Sequence, residues 1–228
     1  MNVAVVFENE AWCAVLKPAN TLSVPSRQGE DDARTCVGTN LQTQLGQRIW
    51  PVHRLDFEVS GLLIFAKTAD AHRNANTAFE KGLIQKTYHA VSAREACDPD
   101  PRLYQDQARL VAPSLENVES PWSTRLVSGK RRSFAAPHGK ESLTRASWKI
   151  HSASSRLWTL HPLTGRSHQL RLHMALAGFP IHGDTLYGSQ ASHSGEGIAL
   201  QAVKLDFSKL SENERRGLPT FLEIQLSL

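Results

Sequence analysis

Short apolar runs separated by polar turns dominate the chain, and they predict a set of short strands. The run 61–66 is apolar throughout and has the length of a strand, which is typical of a strand buried on both faces. The other predicted strands are shorter or less regular, at 3–7, 12–16, 87–91 and 157–163. An acidic turn joins the first two of these strands, so they are expected to form a hairpin.

Three other stretches repeat apolar residues at helical spacing, and helices are predicted at 37–49, 68–82 and 168–178. Thr68 and Ser167 are the predicted N-cap residues of the second and third helices, and a glycine follows each of these helices. Helices and strands do not alternate regularly, which favours an α+β fold around a mixed sheet. The segment 95–145 has weak periodicity and several prolines, so a loop-rich insertion is expected within a single domain, 1–228.

The composition is that of a globular protein, with 40% hydrophobic and 21% charged residues among 228. No stretch approaches the roughly 18 apolar residues of a membrane span. The first residues include Glu8 and Glu10 and lack a basic leader, so no signal peptide is expected. Three cysteines without C-x-x-C spacing argue against a disulfide framework and a cysteine-rich zinc site. We therefore expect a cytoplasmic protein.

Charge is distributed unevenly around the formal net charge of +4. Residues 95–121 have a net charge of −4, whereas residues 122–150 have a net charge of +6. A basic block of this density suits a polyphosphate partner, because each neutralised phosphate releases counterions. A solvated basic loop is the alternative interpretation of the block taken by itself.

Two segments concentrate ionisable side chains. Residues 52–61 lead into the buried strand, where a rigid scaffold can present polar groups to a ligand. Residues 162–174 lead into the third helix, which is apolar on two opposite sides and is therefore expected to be buried. Arg171 lies on the strip between these sides, and a buried guanidinium needs a carboxylate partner. That partner either holds the fold together or belongs to a functional site.

Motifs of several other protein classes are absent. Residues 53–56 differ from the kinase catalytic loop, and the chain has no Walker pattern and no G-x-G-x-x-G. The histidines between 161 and 182 lack metalloprotease spacing, so we expect no metal and interpret them as core and surface side chains. Ser60 is not part of a G-x-S-x-G elbow, which argues against a serine hydrolase.

Four segments together resemble the motifs of the RluA-type family of RNA pseudouridine synthases. They are Lys17-Pro-Ala19, His53-Arg-Leu-Asp56 with Ser60-Gly-Leu-Leu63, Lys86-Thr-Tyr88, and Leu163-Thr-Gly-Arg-Ser-His-Gln-Leu-Arg-Leu-His173 continuing to Gly183-Asp184 and Leu186-Tyr-Gly188. They occur in the family's order, and the resemblance covers about residues 12–92 and 157–207. Asn20, Val59 and Gln201 replace residues that are usual in the family, but none of the three is assigned to chemistry.

The resemblance implies that Asp56 is the catalytic carboxylate, that Arg171 pairs with it, and that Tyr88 packs on the target uracil and accepts a proton. It also implies that Arg54 fills the space that a flipped uridine leaves. The remaining residues expected to contact RNA are His53, Arg166, His168 and Gln169, to which the basic block adds Lys130, Arg131 and Arg132.

The fold implied by the resemblance is the pseudouridine synthase fold, an α+β fold with a mixed, largely antiparallel sheet in two halves and a central catalytic cleft. No separate N-terminal RNA-binding domain is expected. The implied activity is isomerisation of specific uridines to pseudouridine in tRNA or large-subunit rRNA, by a monomer that needs no cofactor, metal or membrane. The alternatives are a non-catalytic RNA-binding or RNA-folding protein on the same scaffold, and a metal-dependent hydrolase built on the histidines.

Overall fold

The structure is a computed structural model that describes residues 2–26, 29–105 and 109–225. Its strands are β1 (Ala4–Glu8), β2 (Trp12–Lys17), β3 (Trp50–Pro51), β4 (Ser60–Ala66), β5 (Gln85–Ala93), β6 (Ser120–Ser128), β7 (Ser133–Ala135), β8 (Lys140–Ser152), β9 (Ser155–Pro162), β10 (Leu200–Asp206) and β11 (Phe221–Glu223). Its α-helices are α1 (Val37–Leu45), α2 (Ala69–Glu80), α3 (Gln169–Leu176) and α4 (Glu212–Arg215). Short 3₁₀ turns lie at Gly29–Asp31, Pro101–Leu103 and Thr185–Tyr187.

The chain divides into two compact units, and the boundaries between them fall inside β5 and β10. Unit 1 comprises Met1–Lys86 and Ala202–Gln225. Unit 2 comprises Thr87–Gln201, together with the last three residues, which lie outside the described part of the chain. Unit 1 contains the helices α1, α2 and α4, and unit 2 contains α3.

In unit 1 the strand order is β1-β2-β4-β10, with β3 also paired to β4 and β11 to β10. The pairs β1–β2, β2–β4, β3–β4 and β10–β11 are antiparallel. The predicted N-terminal hairpin is confirmed, and Asn9 closes its turn because its Oδ1 accepts the N–H groups of Ala11 at 2.9 Å and Trp12 at 2.8 Å.

The centre of unit 1 is β4, which coincides with the apolar run predicted at 61–66. Its first buried residue, Gly61, has φ +116° and lies so close to a neighbouring backbone that a Cβ there would be 2.2 Å from the oxygen of Ala202. The helix α2 follows Thr68, whose Oγ1 accepts the N–H of Ala71 at 3.2 Å, as predicted. The alanine-rich face of α2 is buried in the same apolar cluster as β4.

The first predicted helix is shorter than the spacing of its apolar residues suggested. It ends at Leu45 because Gly46 adopts a left-handed conformation with φ 63° and terminates the hydrogen-bonded turns. Ile49 is buried, but it lies beyond the end of the helix. The spacing of the apolar residues therefore indicated correctly that Ile49 is buried, but it predicted the end of the helix wrongly.

In unit 2 the strand order is β5-β9-β8-β6-β7, and the pairs are antiparallel. Three aromatic rings form part of its core, since Trp158 lies 5.6 Å from Trp122 and 5.1 Å from Phe179 between ring centroids. Every residue of α3 is buried, as expected from a helix that is apolar on two sides.

The second half of the segment 95–145 is not the loop-rich insertion that we predicted. It contains β6, β7 and the start of β8, which form part of the sheet of unit 2. Along β6, buried Trp122 and Thr124 alternate with exposed Ser123 and Arg125, so this strand has the period of two of a half-buried strand. Residues 106–108 of the segment lie outside the described residues.

The observed arrangement confirms an α+β fold with a mixed, mostly antiparallel sheet. Within the described residues, no helix is both long enough and apolar enough to cross a membrane.

Candidate active site

The loop between β3 and β4, residues 52–59, carries Asp56 and is called the Asp56 loop below. Its apolar residues Val52, Leu55 and Val59 are buried and fix it to the core of unit 1. The buried Ser23 adds two bonds, because its Oγ donates to the carbonyl of Leu55 at 2.9 Å and accepts the N–H of the same residue at 3.0 Å. The partly buried Asp56 is therefore presented by a loop that is anchored on both sides of it.

A buried lysine, 1% exposed, lies behind the Asp56 loop. The Nζ of Lys17 donates to the carbonyls of Thr21 at 2.8 Å, Pro18 at 2.9 Å and Phe57 at 3.2 Å. Burial lowers the pKa of Lys17 to about 8, while the nearby carboxylates of Asp56 and Glu58 act in the opposite direction. Lys17 thus ties the residue next to Asp56 to the turn after β2, a role that the sequence analysis did not assign to it.

His53 and Arg54 precede Asp56 but face different surroundings. The Nε2 of His53 accepts the N–H of Ile64 at 3.3 Å, and its ring lies 5.4 Å from that of Phe79. Burial, and secondarily the charge of Lys86, lowers the pKa of His53 to about 3, so the imidazole is neutral near pH 7. His53 therefore supports β4 through its bond to Ile64, and its predicted contact with RNA stays a prediction, whereas Arg54 is exposed.

In unit 2, Gln169 organises the loop that leads into α3. It is 4% exposed, and its Nε2 donates to the carbonyl of Leu143 at 2.8 Å and to the Oγ1 of Thr144 at 3.0 Å. Its Oε1 accepts the N–H of Arg166 at 3.1 Å and the hydroxyl of Thr164 at 2.7 Å. Because both ends of the amide form hydrogen bonds inside unit 2, Gln169 positions this loop, and its predicted contact with RNA stays a prediction.

Replacing Gln169 with leucine is expected to lower the free energy of unfolding by about 2 kcal/mol, because buried partners of the amide lose their hydrogen bonds. Urea denaturation followed by circular dichroism measures the change. Gln190, which is exposed, offers a matched control, since its substitution with leucine is expected to change the unfolding free energy by less than about 0.5 kcal/mol. Equal stability of the Gln169 and Gln190 variants would contradict the assigned role.

The start of α3 differs from the prediction that Ser167 caps it. The N-cap residue is His168, which has a left-handed φ of 54° and forms no side-chain cap bond. Ser167 contributes its carbonyl instead, which accepts the hydroxyl of Ser133 at 2.7 Å. The Nδ1 of His168 lies 3.1 Å from the hydroxyl of Tyr187, and the Nε of Arg166 donates to the carbonyl of Glu141 at 3.0 Å.

Arg171 forms a buried ion pair with Asp184. Its Nε and Nη2 donate to the two carboxylate oxygens of Asp184, each at 2.7 Å, and both side chains are 1% exposed. The structure thus shows Arg171 drawn inward and paired with an acid of its own unit. Asp56 belongs to unit 1, and its pairing with Arg171 stays a prediction. Tyr88, the third predicted catalytic residue, is 8% exposed on β5, where its backbone pairs with Leu160 of β9.

The three consecutive basic residues lie in the turn between β6 and β7. Lys130 and Arg131 are exposed there, as a contact with a phosphate backbone requires. The side chain of Arg132 contacts other residues of the protein, because its Nη1 lies 3.4 Å from the carbonyl of Leu186 and 3.6 Å from a carboxylate oxygen of Asp100. The first two side chains are therefore better candidates for an RNA contact than the third.

His173 shows how one of the histidines is used. Its two ring nitrogens lie 3.0 Å from the hydroxyls of Ser142 and Thr144, and burial lowers its pKa to about 3. It is a neutral core histidine, as interpreted from the sequence. Across residues 2–26, 29–105 and 109–225, no group of three or more histidine, cysteine, aspartate or glutamate side chains is arranged to hold a metal ion.

The fold of this chain and the motifs in its sequence are those expected of the class of RNA pseudouridine synthases. The family model described as RNA pseudouridylate synthase matches residues 11–176, and the chain belongs to this family. Members of the family are isomerases, so the chain is assigned to this enzyme class.

Curated relatives agree with this assignment over most of the chain. The dual-specificity RNA pseudouridine synthase RluA of Vibrio vulnificus is 33% identical over 214 residues, which are 89% of this chain and 76% of the relative. The tRNA pseudouridine synthase C of Vibrio cholerae is 30% identical over 215 residues, covering 89% of this chain and 84% of the relative.

Solved structures show the same fold. Human RNA pseudouridylate synthase domain containing 4 has a TM-score of 0.68 at 17% identity, covering 98% of this chain and 88% of that one. Human RNA pseudouridylate synthase domain containing 1 has a TM-score of 0.64 at 20% identity, covering 90% and 78% of the two chains. At these identities the likeness concerns the fold alone.

Proposed function

We propose that the protein isomerises specific uridines in structured RNA to pseudouridine, with Asp56 as the catalytic carboxylate. The observation that carries the proposal is the family match over residues 11–176, a range that contains Asp56, Tyr88 and Arg171. The anchoring of the Asp56 loop by Ser23 and Lys17 supports the choice of this carboxylate, because a catalytic group must be held in a fixed geometry.

The reaction breaks the bond between the anomeric carbon of the ribose and N1 of uracil, and forms a bond from the same carbon to C5. The proton on C5 is lost and N1 gains one, so atoms balance without a redox partner or a nucleotide. The carboxylate of Asp56 acts on the electron-poor centre that develops when the first bond breaks, as a nucleophile or as a stabilising charge. Arg171 keeps this carboxylate ionised and aimed, and Tyr88 packs on the uracil and accepts the C5 proton.

The substrate class in this proposal is tRNA or large-subunit rRNA in the cytoplasm. The names of the relatives support RNA as the partner, since one acts on tRNA and another is called a dual-specificity RNA enzyme. Exposed cations in both units suit a phosphate backbone, namely Arg54, Lys130, Arg131 and Arg166. His168, which is partly buried at the start of α3, is the proposed contact to the flipped nucleotide.

Tritium release from RNA labelled at C5 of uridine tests the activity. We expect the purified protein to release tritium into water from bulk tRNA, from rRNA or from both. Retained RNA binding without release from either substrate would indicate a non-catalytic RNA-binding protein and contradict the proposal. Release that stops on addition of a chelator would instead favour metal-dependent chemistry.

Arg54 is proposed to occupy the space that the flipped uridine leaves in the RNA. Replacing Arg54 with alanine is expected to slow tritium release from a structured stem-loop by roughly 10-fold, because the cost of unstacking a base is a few kcal/mol. On a short RNA whose target uridine is already unstacked, the same variant is expected to stay within about twofold of the wild type.

The exposed Arg73 on α2 supplies the matched control for this comparison. Arg73→Ala removes an equal charge from unit 1 and is expected to affect the two RNAs equally. If Arg54→Ala slows tritium release from the two RNAs equally, Arg54 contributes charge alone and takes no part in base flipping.

A further inference from the structure

The guanidinium of Arg171 is held in one plane by contacts inside unit 2. Asp184 engages it through two parallel hydrogen bonds of 2.7 Å, from Nε and from Nη2. A bidentate pair of this kind fixes both the position and the plane of a guanidinium, whereas a single hydrogen bond leaves it free to rotate.

A second group lies beside the guanidinium of Arg171. The ring of Tyr187 lies 5.2 Å from the guanidinium carbon of Arg171. The ring is itself fixed, because its hydroxyl accepts the N–H of Ser133 at 2.8 Å and lies 3.1 Å from the Nδ1 of His168. Arg171 is thus bound by a carboxylate through Nε and Nη2 and lies beside an aromatic ring that is itself fixed.

The turn at Asp184 is closed by backbone hydrogen bonds, and the carboxylate of Asp184 forms no cap bond to it. The backbone closes that turn, since the N–H of Asp184 donates to Ile181, and the N–H groups of Tyr187 and Ser189 donate to the carbonyl of Asp184. A buried ion pair is also weak evidence for stability, because desolvation of both charges offsets much of their attraction. Orientation of the guanidinium is the property that this pair provides and that an apolar pair would not.

We propose that Asp184 is a positioning residue of the reaction, which fixes the plane of the Arg171 guanidinium for its proposed pairing with the catalytic carboxylate. The inference rests on the proposed function, in which Arg171 pairs with Asp56. Asp184 acts through Arg171 and touches neither the substrate nor the reacting atoms.

Single-turnover tritium release at saturating enzyme tests this role, with RNA affinity measured separately. Asp184→Asn and Asp184→Glu are each expected to lower the rate at least about 10-fold while RNA affinity stays within about threefold, because a small misplacement of a catalytic group affects the chemical step. Asp184→Glu keeps the buried charge, so it decides the question if the asparagine variant does not fold. Wild-type rates in the folded variants would overturn the proposal.

Ser142→Ala provides a structural control. Ser142 is fully buried in unit 2 and bonds to Thr124 and His173, so its loss perturbs the core without touching the Arg171–Asp184 pair. Its single-turnover rate is expected to stay within about twofold of the wild type even where urea denaturation shows lower stability. A rate that falls in proportion to stability in the Ser142 and Asp184 variants alike would indicate a merely structural role.

A double-variant comparison separates action through Arg171 from independent effects. In an Arg171→Lys background the guanidinium fork is gone, so adding Asp184→Asn is expected to lower the rate by less than about twofold further. A further loss as large as in the wild-type background would refute action through Arg171. Failure of the proposed function itself would be seen differently, as wild-type protein without tritium release or as release that survives Asp56→Asn.

Discussion

Replacing Asp56 with asparagine is expected to reduce tritium release from C5-labelled RNA by roughly 1,000-fold or more, because the amide keeps the shape of the carboxylate but not its charge or nucleophilicity. The Asp56 loop is anchored by Ser23, by Lys17 and by its own buried apolar residues, so the variant is expected to fold normally. Its affinity for RNA is expected to remain within a few-fold of the wild type, and filter binding measures it.

Glu58 supplies the matched control for this prediction. It lies two residues after Asp56 in the same loop, and its carboxylate also acts on the charge of Lys17. Glu58→Gln therefore makes the same chemical change in the same loop, and we expect a rate within about threefold of the wild type. A variant at Asp56 with nearly wild-type release, or a Glu58 variant that is equally inactive, would show that the catalytic carboxylate has been assigned wrongly.

Local patterns predicted the elements whose burial and boundaries are set by nearby residues. The strand β4 is a continuous apolar run, and α2 begins with a threonine that bonds to the backbone three residues later. In both cases the residues that form the sequence pattern are also the residues that produce the structure. The strands β6 and β8 were missed because several of their inward residues, such as Thr124, Ser142 and Thr144, are polar. The side chains of Ser142 and Thr144 find their partners far along the chain.

The candidate site was also predicted in part: its residues could be found from the sequence, but their bonding partners could not. Its ionisable residues could be singled out from the sequence because they cluster ahead of a buried strand and at the start of a buried helix. Their partners could not, since Gln169 bonds to residues about 25 positions earlier and Lys17 reaches the carbonyl of Phe57. Burial of Arg171 followed from the helical pattern, but its pairing with Asp184 required the fold to bring the 183–188 turn beside α3.

Replacing Lys17 with methionine is expected to slow tritium release by roughly 100-fold, because the carbonyl of Phe57 loses its donor and the neighbouring Asp56 shifts from its position. The methionine side chain fills a similar volume, so the effect arises mainly from the lost hydrogen bonds. Lys209 is exposed in the same unit, and Lys209→Met is the control for which we expect a rate within about twofold of the wild type.

Lys17 also predicts an unusual dependence of stability on pH. Its pKa is about 8 in the folded protein and 10.5 in an unperturbed lysine. Between these values the unfolded chain binds the proton and the folded protein releases it, so the contribution of Lys17 to the free energy of unfolding rises with pH. Across the whole window the rise amounts to about 3 kcal/mol, and below pH 8 both states are protonated and the contribution is constant.

Other groups titrate in the same range, so the informative quantity is the difference between wild type and Lys17→Met. Burial raises the pKa of Cys13 to about 11, which makes the folded protein lose stability as pH rises from 9, but this term is common to both proteins and cancels. Urea denaturation between pH 7 and 10 is expected to show a constant difference below about pH 8 and a difference that moves in favour of the wild type above it. A difference that is independent of pH would mean that Lys17 keeps an ordinary pKa and is not desolvated behind the Asp56 loop.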